Sequence, residues 1–341
     1  MKKRMIVDTA NLLFRVASAH TKYNKIGTPE EQAGLALHMA LQSLRSHYNR
    51  VKPDELALTF EGRDNWRKTY TKSPECISQR VYKANRIKDD SLLPFIQLIG
   101  AFEEMVRAHT SIICLSHPRV EGDDMFAGYV ERYTAEGDEV YGLSGDKDFI
   151  QLYRHPGFTL LNPDKAGANR NVDKKGNVID PDFFMFEKAF RGDTGDNVMS
   201  AFPRVRLTRL QEAYRDEYKL TNLLNEEWDY ADPTTGIIRR MNVGKLVEEN
   251  HLLMNLSRQP QEIRDIVQET ITRETANRGK FDFFHFQKFC GKHKLKKIAE
   301  ESAGFTEMLS LSGRSERVAE PKVDVLEVAR ASAKRRTSLT F

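Results

Sequence analysis

Long apolar runs are missing from this 341-residue sequence. A membrane-spanning helix needs about 20 consecutive apolar residues. The best stretch, Leu92 to Phe102, is shorter and carries Gln97, so no transmembrane span is expected. The start, Met-Lys-Lys-Arg-Met-Ile-Val-Asp, is basic but leads into no extended apolar segment, which predicts no secretory signal peptide. Cysteine is scarce, and Cys76, Cys114 and Cys290 lie far apart. That excludes a disulfide scaffold and a four-cysteine zinc site, and fits a reducing, cytoplasmic setting. There is no internal repeat. Nor does one sign of charge dominate: 53 Lys+Arg against 49 Asp+Glu leave +4. With 40% hydrophobic and 30% charged residues the chain reads as folded, and its length suggests about two domains.

The mild net charge hides a segregated one. Residues 61–88 carry eight Lys/Arg against three Asp/Glu, and residues 280–297 carry six Lys against one Asp. Carboxylates crowd elsewhere into short motifs. Local basic surfaces beside a local acidic cluster suit a protein that holds a polyanion and metal together. Solvated helix faces are the plainer reading of charge alone.

The first half alternates apolar strands with helical patterns. Strands are expected at Arg4–Asp8, Glu55–Phe60, Ser111–Leu115 and Glu139–Leu143. Helices are expected over 30–48, 91–109 and 122–135. In 91–109 the residues Leu92, Phe95, Ile96, Ile99, Phe102 and Val106 form the apolar face. The order predicts an α/β fold, a mainly parallel sheet with helices on both faces. Phe158–Leu161 reads as an added strand, and a hairpin turns near Lys175-Gly176. After about residue 190 strands fade, and 206–224, 243–256, 260–276 and 283–300 read as helices. From Ser312 small and charged residues lead to Lys334-Arg335-Arg336, the pattern of a flexible basic tail.

In an open parallel sheet, ligands bind beyond the carboxyl ends of the strands. Asp8 follows the first strand, Glu61 the second, and Glu121, Asp123 and Asp124 the third after a short loop. Asp146 and Asp148 follow the fourth, and Asp193 and Asp196 open the helical region. Singly, each could cap a helix or close a turn. Together they would repel, and hard divalent cations resolve that repulsion. Two such ions can activate a water and stabilise the leaving oxygen of a phosphodiester. The segment from Glu61 to Ser91 is too long for an ordinary strand–helix connection. Its Arg63, Arg67, Lys68, Lys72, Arg80, Lys83, Arg86 and Lys88 interleave with Trp66, Tyr70 and Tyr82. Cations bind phosphates and aromatic faces stack on bases, so this stretch is expected to cover the acidic site.

These residues resemble the 5′-nuclease group, which includes flap endonucleases and the 5′→3′ exonuclease domains of bacterial DNA polymerases, and most of all its T-even phage ribonuclease H type. The motifs are Ile-Val-Asp8 through Arg15, Trp66-Arg67 with Tyr82-Lys83-Ala-Asn-Arg86, Glu121-Gly-Asp123-Asp124, Ser-Gly-Asp146-Lys-Asp148-Phe, and Gly192-Asp193-Thr-Gly-Asp196-Asn197. The resemblance implies a PIN-like nuclease domain at 1–190 with a helical arch at about 61–90. It implies a helical, helix–hairpin–helix-like DNA-binding domain at 191–311, followed by the tail at 312–341. The implied activity is hydrolysis of DNA, and of RNA in RNA–DNA hybrids, from or near a 5′ end, with two Mg²⁺ ions for which Mn²⁺ can substitute. Asp8, Glu61, Asp123 and Asp146 would surround the first metal, and Glu121, Asp124, Asp148, Asp193 and Asp196 would serve the second. Lys83 and Arg86 would reach the scissile phosphate, three apart on one helix face, with Arg67 in the same basic wall and Tyr82 among the nucleic-acid contacts. The implied role is primer or flap removal in phage DNA replication, by a monomer working with a single-strand-binding protein and a sliding clamp and without a membrane.

Two positions depart from the family pattern. Glu61 stands where Asp is usual, and Met199-Ser-Ala-Phe-Pro-Arg204-Val-Arg206 replaces the glycine-rich turn. Without those glycines, Arg204, Arg206 and Arg209 are the expected duplex contacts, and a potassium site is not expected. A HAD-type phosphohydrolase would need an Asp where Ala10 stands. A PIN-type ribonuclease without an arch is a nearer rival, though usually a shorter chain. The non-enzymatic alternative is a structure-specific DNA-binding replication accessory protein, against which the full acidic set argues. His285, Cys290 and His293 resemble part of a zinc site but lack a fourth ligand. Phe281, Phe283, Phe284 and Phe286 read as core. Lys288 to Lys297 suit duplex phosphate, an acidic partner or plain solvent, and Thr337 to Phe341 loosely resembles a clamp-binding tail.

Overall fold

A computed structural model describes residues 1–15, 27–86, 92–164, 171–173, 176–232 and 236–311. The expected tail at 312–341, with its clamp-binding end, lies outside the described residues, as do the far end of the arch at 87–91 and the tip of the hairpin at 174–175.

Five parallel strands form the sheet: β1 (Lys3–Asp8), β2 (Glu55–Thr59), β3 (Ile113–Leu115), β4 (Glu139–Leu143) and β5 (Phe158–Leu161), in the order β3-β2-β1-β4-β5. Their side chains alternate between two cores, which is why the strands read as unbroken apolar runs. Met5, Val7, Leu56, Leu58, Cys114 and Leu143 face one side. Ile6, Ala57, Ile113, Leu115 and Val140 face the other. This is the PIN-like, doubly wound α/β arrangement. β1 lies at the centre, with β2 on one flank and β4 on the other, so the strand order reverses beside it and a crevice opens at its carboxyl end.

On the first side lie α1 (Pro29–Val51) and α3 (Leu93–His109). A capping box starts α1: the Thr28 hydroxyl accepts from the Glu31 amide at 3.3 Å, and the Glu31 carboxylate accepts from the Thr28 amide at 3.1 Å. In α3 the buried stripe is Phe95, Leu98, Phe102, Met105 and Val106, whereas Ile96 is exposed. Ile96 sits a quarter-turn from Phe95, so the expected face is corrected to one centred on 95, 102 and 106. The other side is covered by α4 (Gly122–Ala135) and α9 (Gln261–Ala276).

The arch differs from the expected helix. Within 61–86 only α2 (Trp66–Tyr70) is helical, and residues 71–86 proceed by turns. Lys83 itself has φ 57°, in the left-handed region, so Lys83 and Arg86 share a turn and not a helix face. After the 3₁₀ turns at Asp148–Arg154 come α5 (Pro181–Arg191), α6 (Leu207–Arg215) and α7 (Glu217–Leu224). A two-stranded antiparallel ribbon follows, β6 (Glu227–Ala231) with β7 (Ile238–Asn242), and then α8 (Val243–Met254). The ribbon is an addition to the mainly helical region expected there. Trp228, Tyr230 and Met241 fall on its inner face with a period of two and pack with Met185, Phe190, Leu210 and Leu246 in a third core, apart from the two that cover the sheet.

The expected helix at 283–300 breaks at Lys294, which has φ 57°, into α10 (Phe283–Lys292) and α11 (Lys296–Glu300), with α12 (Ser302–Ser310) after it. These helices and α9 return to the sheet: Ile263, Val267 and Ile271 join the α4 side, and Phe286, Ile298 and Phe305 join the α1 side. The region 191–311 is therefore divided by its packing. Of the four phenylalanines expected in the core, Phe286 is buried and Phe281 partly so, while Phe283 and Phe284 are exposed. No helix among the described residues is long and apolar enough to cross a membrane.

Candidate metal and nucleic-acid site

Parallel pairing puts the carboxyl ends of β1, β2 and β4 side by side: Asp8 pairs with Thr59, and Val7 with Leu143. Each chain then turns outward at the same edge. The helical turn after β1 begins at Asp8, whose Oδ1 accepts from the Asn11 amide at 3.0 Å. Its Oδ2 accepts from the buried Ser144 hydroxyl at 2.8 Å. Asn11 Oδ1 in turn accepts from the Gly145 amide at 2.8 Å, tying the β1 end to the β4 end. A Cβ on Gly145 would stand 2.8 Å from that same oxygen, so this approach requires glycine. Asp146 follows, anchored by its amide to the Ser144 hydroxyl at 2.9 Å, and its Oδ1 accepts from the Asp148 amide at 2.8 Å.

Asp8 lies within electrostatic reach of Glu61, Asp123 and Asp146 here, although no three of these four carboxylates bring ligand oxygens within 4.8 Å of one another. Burial pushes the Asp8 carboxyl up to about 7, and the charges of Glu61 and Asp146 add to it. Asp123 is driven well above its ordinary range by desolvation and then by Asp8 and Glu61. Glu61 stands at the rim, its Oε2 3.3 Å from the donating Gly122 amide. The donors are all carboxylate oxygens, and Asp8 is held by an amide and a hydroxyl instead of a cation. That set fits a hard divalent ion.

Asp124 departs from the expectation. It is fully buried, and Arg67 donates to both of its oxygens at 2.7 and 2.8 Å. Trp66 Nε1 and Gln259 Nε2 each donate at 3.0 Å. Burial would raise its pKa, but Arg67 outweighs that and the net shift is downward. All its lone pairs have protein partners, so Asp124 holds the wall of the site and is corrected from a ligand. Arg67 is corrected too: at 1% exposure it cannot face nucleic acid. It joins Asp124, Glu121 (2.9 Å) and the Leu253 carbonyl (2.7 Å). Trp66 and Tyr82 are likewise buried, which excludes base stacking on them. The Tyr82 hydroxyl donates instead to Asp196 Oδ2 at 2.8 Å.

The remaining acids are matched by cations. Lys83 Nζ reaches Glu121 Oε1 at 2.5 Å. Burial disfavours its charge, but Glu121, Asp196, Asp123 and Glu61 more than compensate and keep it an ammonium. Arg86, mostly exposed, donates to Asp196 Oδ1 at 2.8 Å. Lys188 bridges Asp148 and Asp193, lying 3.0 Å from the latter. Burial raises the Asp148 carboxyl despite Lys188, whereas Lys188 and the Asp196 and Gly195 amides carry Asp193 below its usual value against burial. Sequence reasoning missed Lys188. Its signal was a second cation in the last turn of α5 beside Arg191, which pairs with Glu187, just before Gly192, where a Cβ would lie 2.6 Å from the Met199 carbonyl.

Arg204 and Arg206 are exposed on the loop after Val198, and Arg209 is ion-paired with Glu226. The zinc fragment does not assemble: Cys290 is buried in the core and His293 packs on Phe289 at 4.6 Å. His109, Asp282 and His285 do bring ligand atoms within 4.8 Å. Their imidazoles, however, stack 4.0 Å apart with planes 8° from parallel, so one ion cannot lie in both ring planes. Asp282 also caps α10 through the His285 amide at 3.1 Å.

Residues 3–184 match the family described as 5′-3′ exonuclease, N-terminal resolvase-like domain. The chain belongs to this 5′-nuclease family. It is 28% identical to DNA polymerase I of Rhizobium leguminosarum over 202 residues, 57% of this chain and 18% of that protein. It is 24% identical to a 5′-3′ exonuclease of Buchnera aphidicola over 201 residues, 58% of this chain and 64% of that one. The chain thus spans under two thirds of the length of either relative. Among solved structures, a variant of the bacteriophage T5 flap endonuclease in a complex with DNA and metal ions aligns at TM-score 0.55 and 18% identity, over 81% of this chain and 100% of that one. The T5 5′-exonuclease with bound zinc aligns at TM-score 0.54 and 18% identity, over 80% and 100%. These likenesses extend the shared fold past the family match into the helical region.

Proposed function

We propose that the chain is a metal-dependent 5′→3′ exonuclease and flap endonuclease that hydrolyses phosphodiesters of DNA and of RNA in RNA–DNA hybrids. The observation that carries this reading is the convergence of Asp8, Glu61, Asp123 and Asp146 on one sheet edge with Lys83 brought against it from the arch. Those four carboxylates would hold one divalent ion, and Asp148, Asp193, Asp196 and Glu121 would serve another, with Mg²⁺ the physiological ion and Mn²⁺ a substitute. Such ions supply an activated water and charge stabilisation at the leaving oxygen.

The chain's own groups do the rest. Lys83 keeps its proton and, on exchanging Glu121 for a phosphate oxygen, offsets charge as it builds there. Exposed Arg204 and Arg206 hold duplex phosphates. Arg86 guides the 5′ strand. Ser144 and Asn11 keep the Asp8 and Asp146 turns in register. The biological reading is removal of primers or flaps in phage replication in the host cytoplasm, by a monomer with a nuclease part at 1–190, a DNA-binding part at 191–311 and a basic tail that meets single-strand-binding protein or clamp. The test is product length from 5′-labelled nicked, flapped and RNA-primed duplexes, with Mg²⁺ and with EDTA. Short 5′ products only with Mg²⁺ support the reading. Binding without any cleavage would turn it into that of a DNA-binding accessory protein.

A further inference from the structure

Glu249 lies midway along α8 and is 3% exposed. A buried carboxylate is costly unless hydrogen-bonded. Here two successive arch amides provide the bonds: Ile77 N donates to Oε2 and Ser78 N to Oε1 at 3.1 Å. Further bonds follow along the same limb. Arg239 of β7 donates to the Ser78 carbonyl at 3.2 Å, and Arg80 donates to the Tyr230 hydroxyl of β6 at 3.2 Å. Asn197 donates to the Val81 carbonyl at 2.9 Å, and the Lys83 amide donates to the Asp196 carbonyl at 2.8 Å. The limb that ends at Lys83 is thus pinned to β6, β7, α8 and the Asp193–Asn197 loop.

Helix α8 also touches the rest of the site. Asn250 donates to the carbonyls of Ala189 and Met199 at 2.7 and 2.9 Å, on either side of the Asp193 turn. The Leu253 carbonyl accepts from Arg67, and the Met254 carbonyl accepts from Gln151, just past Asp148, at 3.3 Å. One helix therefore sets the relative position of the arch limb and of three acidic segments.

We infer that Glu249 is a positioning residue for cleavage: by clamping the 77–78 amides to α8 it fixes where Lys83 meets the acidic edge. The inference rests on the role of Lys83 under the proposed function. A limb freed at 77–78 would let Lys83 drift from Glu121, and a misplacement of about 1 Å can cost roughly 10²-fold in rate.

Single-turnover cleavage of a 5′-flapped duplex at saturating enzyme and Mg²⁺ tests it, on the parent, Lys83→Ala, Glu249→Ala and the double variant, with DNA affinity measured in Ca²⁺ and folding by circular dichroism. Glu249→Ala should slow cleavage by roughly ten- to a hundredfold with affinity nearly unchanged. The double variant should fall within about twofold of Lys83→Ala alone, because both act through one group. Glu249→Gln, which keeps one acceptor for the amides, should fall between parent and Glu249→Ala; it carries the same comparison if the alanine variant does not fold. A parental rate in the glutamate variants, losses that multiply with Lys83→Ala, or a rate loss matched by an equal affinity loss would each overturn the inference. If Lys83→Ala itself cleaves at the parental rate, the role of Lys83 falls and this inference with it. If Lys83→Ala is slow and Glu249→Ala is not, only the inference on Glu249 falls.

Discussion

Asp123 and Asp124 are neighbours on the first turn of α4, and their surroundings are opposite. Asp123 points to Asp8 and Glu61, whose charges add to desolvation and drive its carboxyl well up. Asp124 points a hundred degrees away into a cage of Arg67, Trp66 and Gln259 and is held ionised. The same division runs through the whole site. One group, around Asp8, brings charge together that Lys83 offsets only in part. The other, from Asp124 to Asp193, is balanced by Arg67, Lys83 and Lys188. Repulsion is left around Asp8, is removed for good where Arg67 locks Asp124 into the wall, and is held off by Lys83 and Lys188 at the acids from which those lysines would have to move for a second ion.

Substitution should separate the two groups most sharply. Asp146→Asn is expected to lower single-turnover cleavage by at least about 10²–10³-fold, the scale of one preorganised charge, while leaving the urea midpoint near the parental one. Asp124→Asn should do the reverse in kind. It leaves Arg67 buried with one acceptor weakened, and breaking such a pair costs about 3–5 kcal/mol in the harsher case of full removal. Urea denaturation checks this, and equal stability of the two variants would erase the distinction between the groups.

Acidity offers a second separation. A carboxyl that is raised in the folded state binds more protons there than in the unfolded chain, so stability falls as pH rises between the two values. For Asp8 that window runs from 3.8 to about 7. In EDTA the melting temperature should therefore drop from pH 5 to pH 7.5 relative to an Asp8→Asn variant, which lacks this titration. Mg²⁺ should restore more stability at pH 7.5 than at pH 5, since it binds the deprotonated set. A Mg²⁺ shift independent of pH would argue against a site built from raised carboxyls.

The sequence made the acid-bearing edge legible because strand ends in a parallel sheet are readable from apolar runs, and Asp8 ends β1 while Glu61 and Asp146 come shortly after the ends of β2 and β4. It did not distinguish Asp124 from Asp123, because the difference depends on Arg67, 57 residues away in the chain. Arg67 and Tyr82 looked like nucleic-acid contacts for the same reason: a basic, aromatic segment has the same composition whether it faces solvent or acids. The β6–β7 ribbon was hidden by short strands of alternating charge, Glu227, Asp229 and Arg240 on its outer face, where period two carries little apolar contrast.

The duplex contacts should give a gentler effect. Arg204 and Arg206 are exposed, whereas Arg209 is paired with Glu226. Replacing all three with Ala should therefore lower the log–log salt slope of DNA binding by roughly 1.8, two contacts at about 0.9 each, and not by the roughly 2.7 of three free cations. An unchanged slope would remove this loop from the interface.

Arg86 should give the smallest change, and it tests the cation-matched group at its edge. Its guanidinium is mostly in solvent and meets one oxygen of Asp196, whose other oxygen is held by Tyr82. Lys83 is recessed and bound to Glu121 by a short contact. An exposed ion pair contributes about 0–1 kcal/mol, so Arg86→Ala should leave the urea midpoint almost unmoved. In cleavage it can lose only what Arg86 gains by leaving Asp196 for a phosphate. That gain is smaller than for a recessed ammonium, because water already screens the group. Single-turnover rates for Arg86→Ala should accordingly lie between the parent and Lys83→Ala, and the difference from the parent should shrink as salt is raised. A rate as low as that of Lys83→Ala, and insensitive to salt, would mean that Arg86 is drawn into the site with the substrate and belongs with Lys83 at the reacting phosphate.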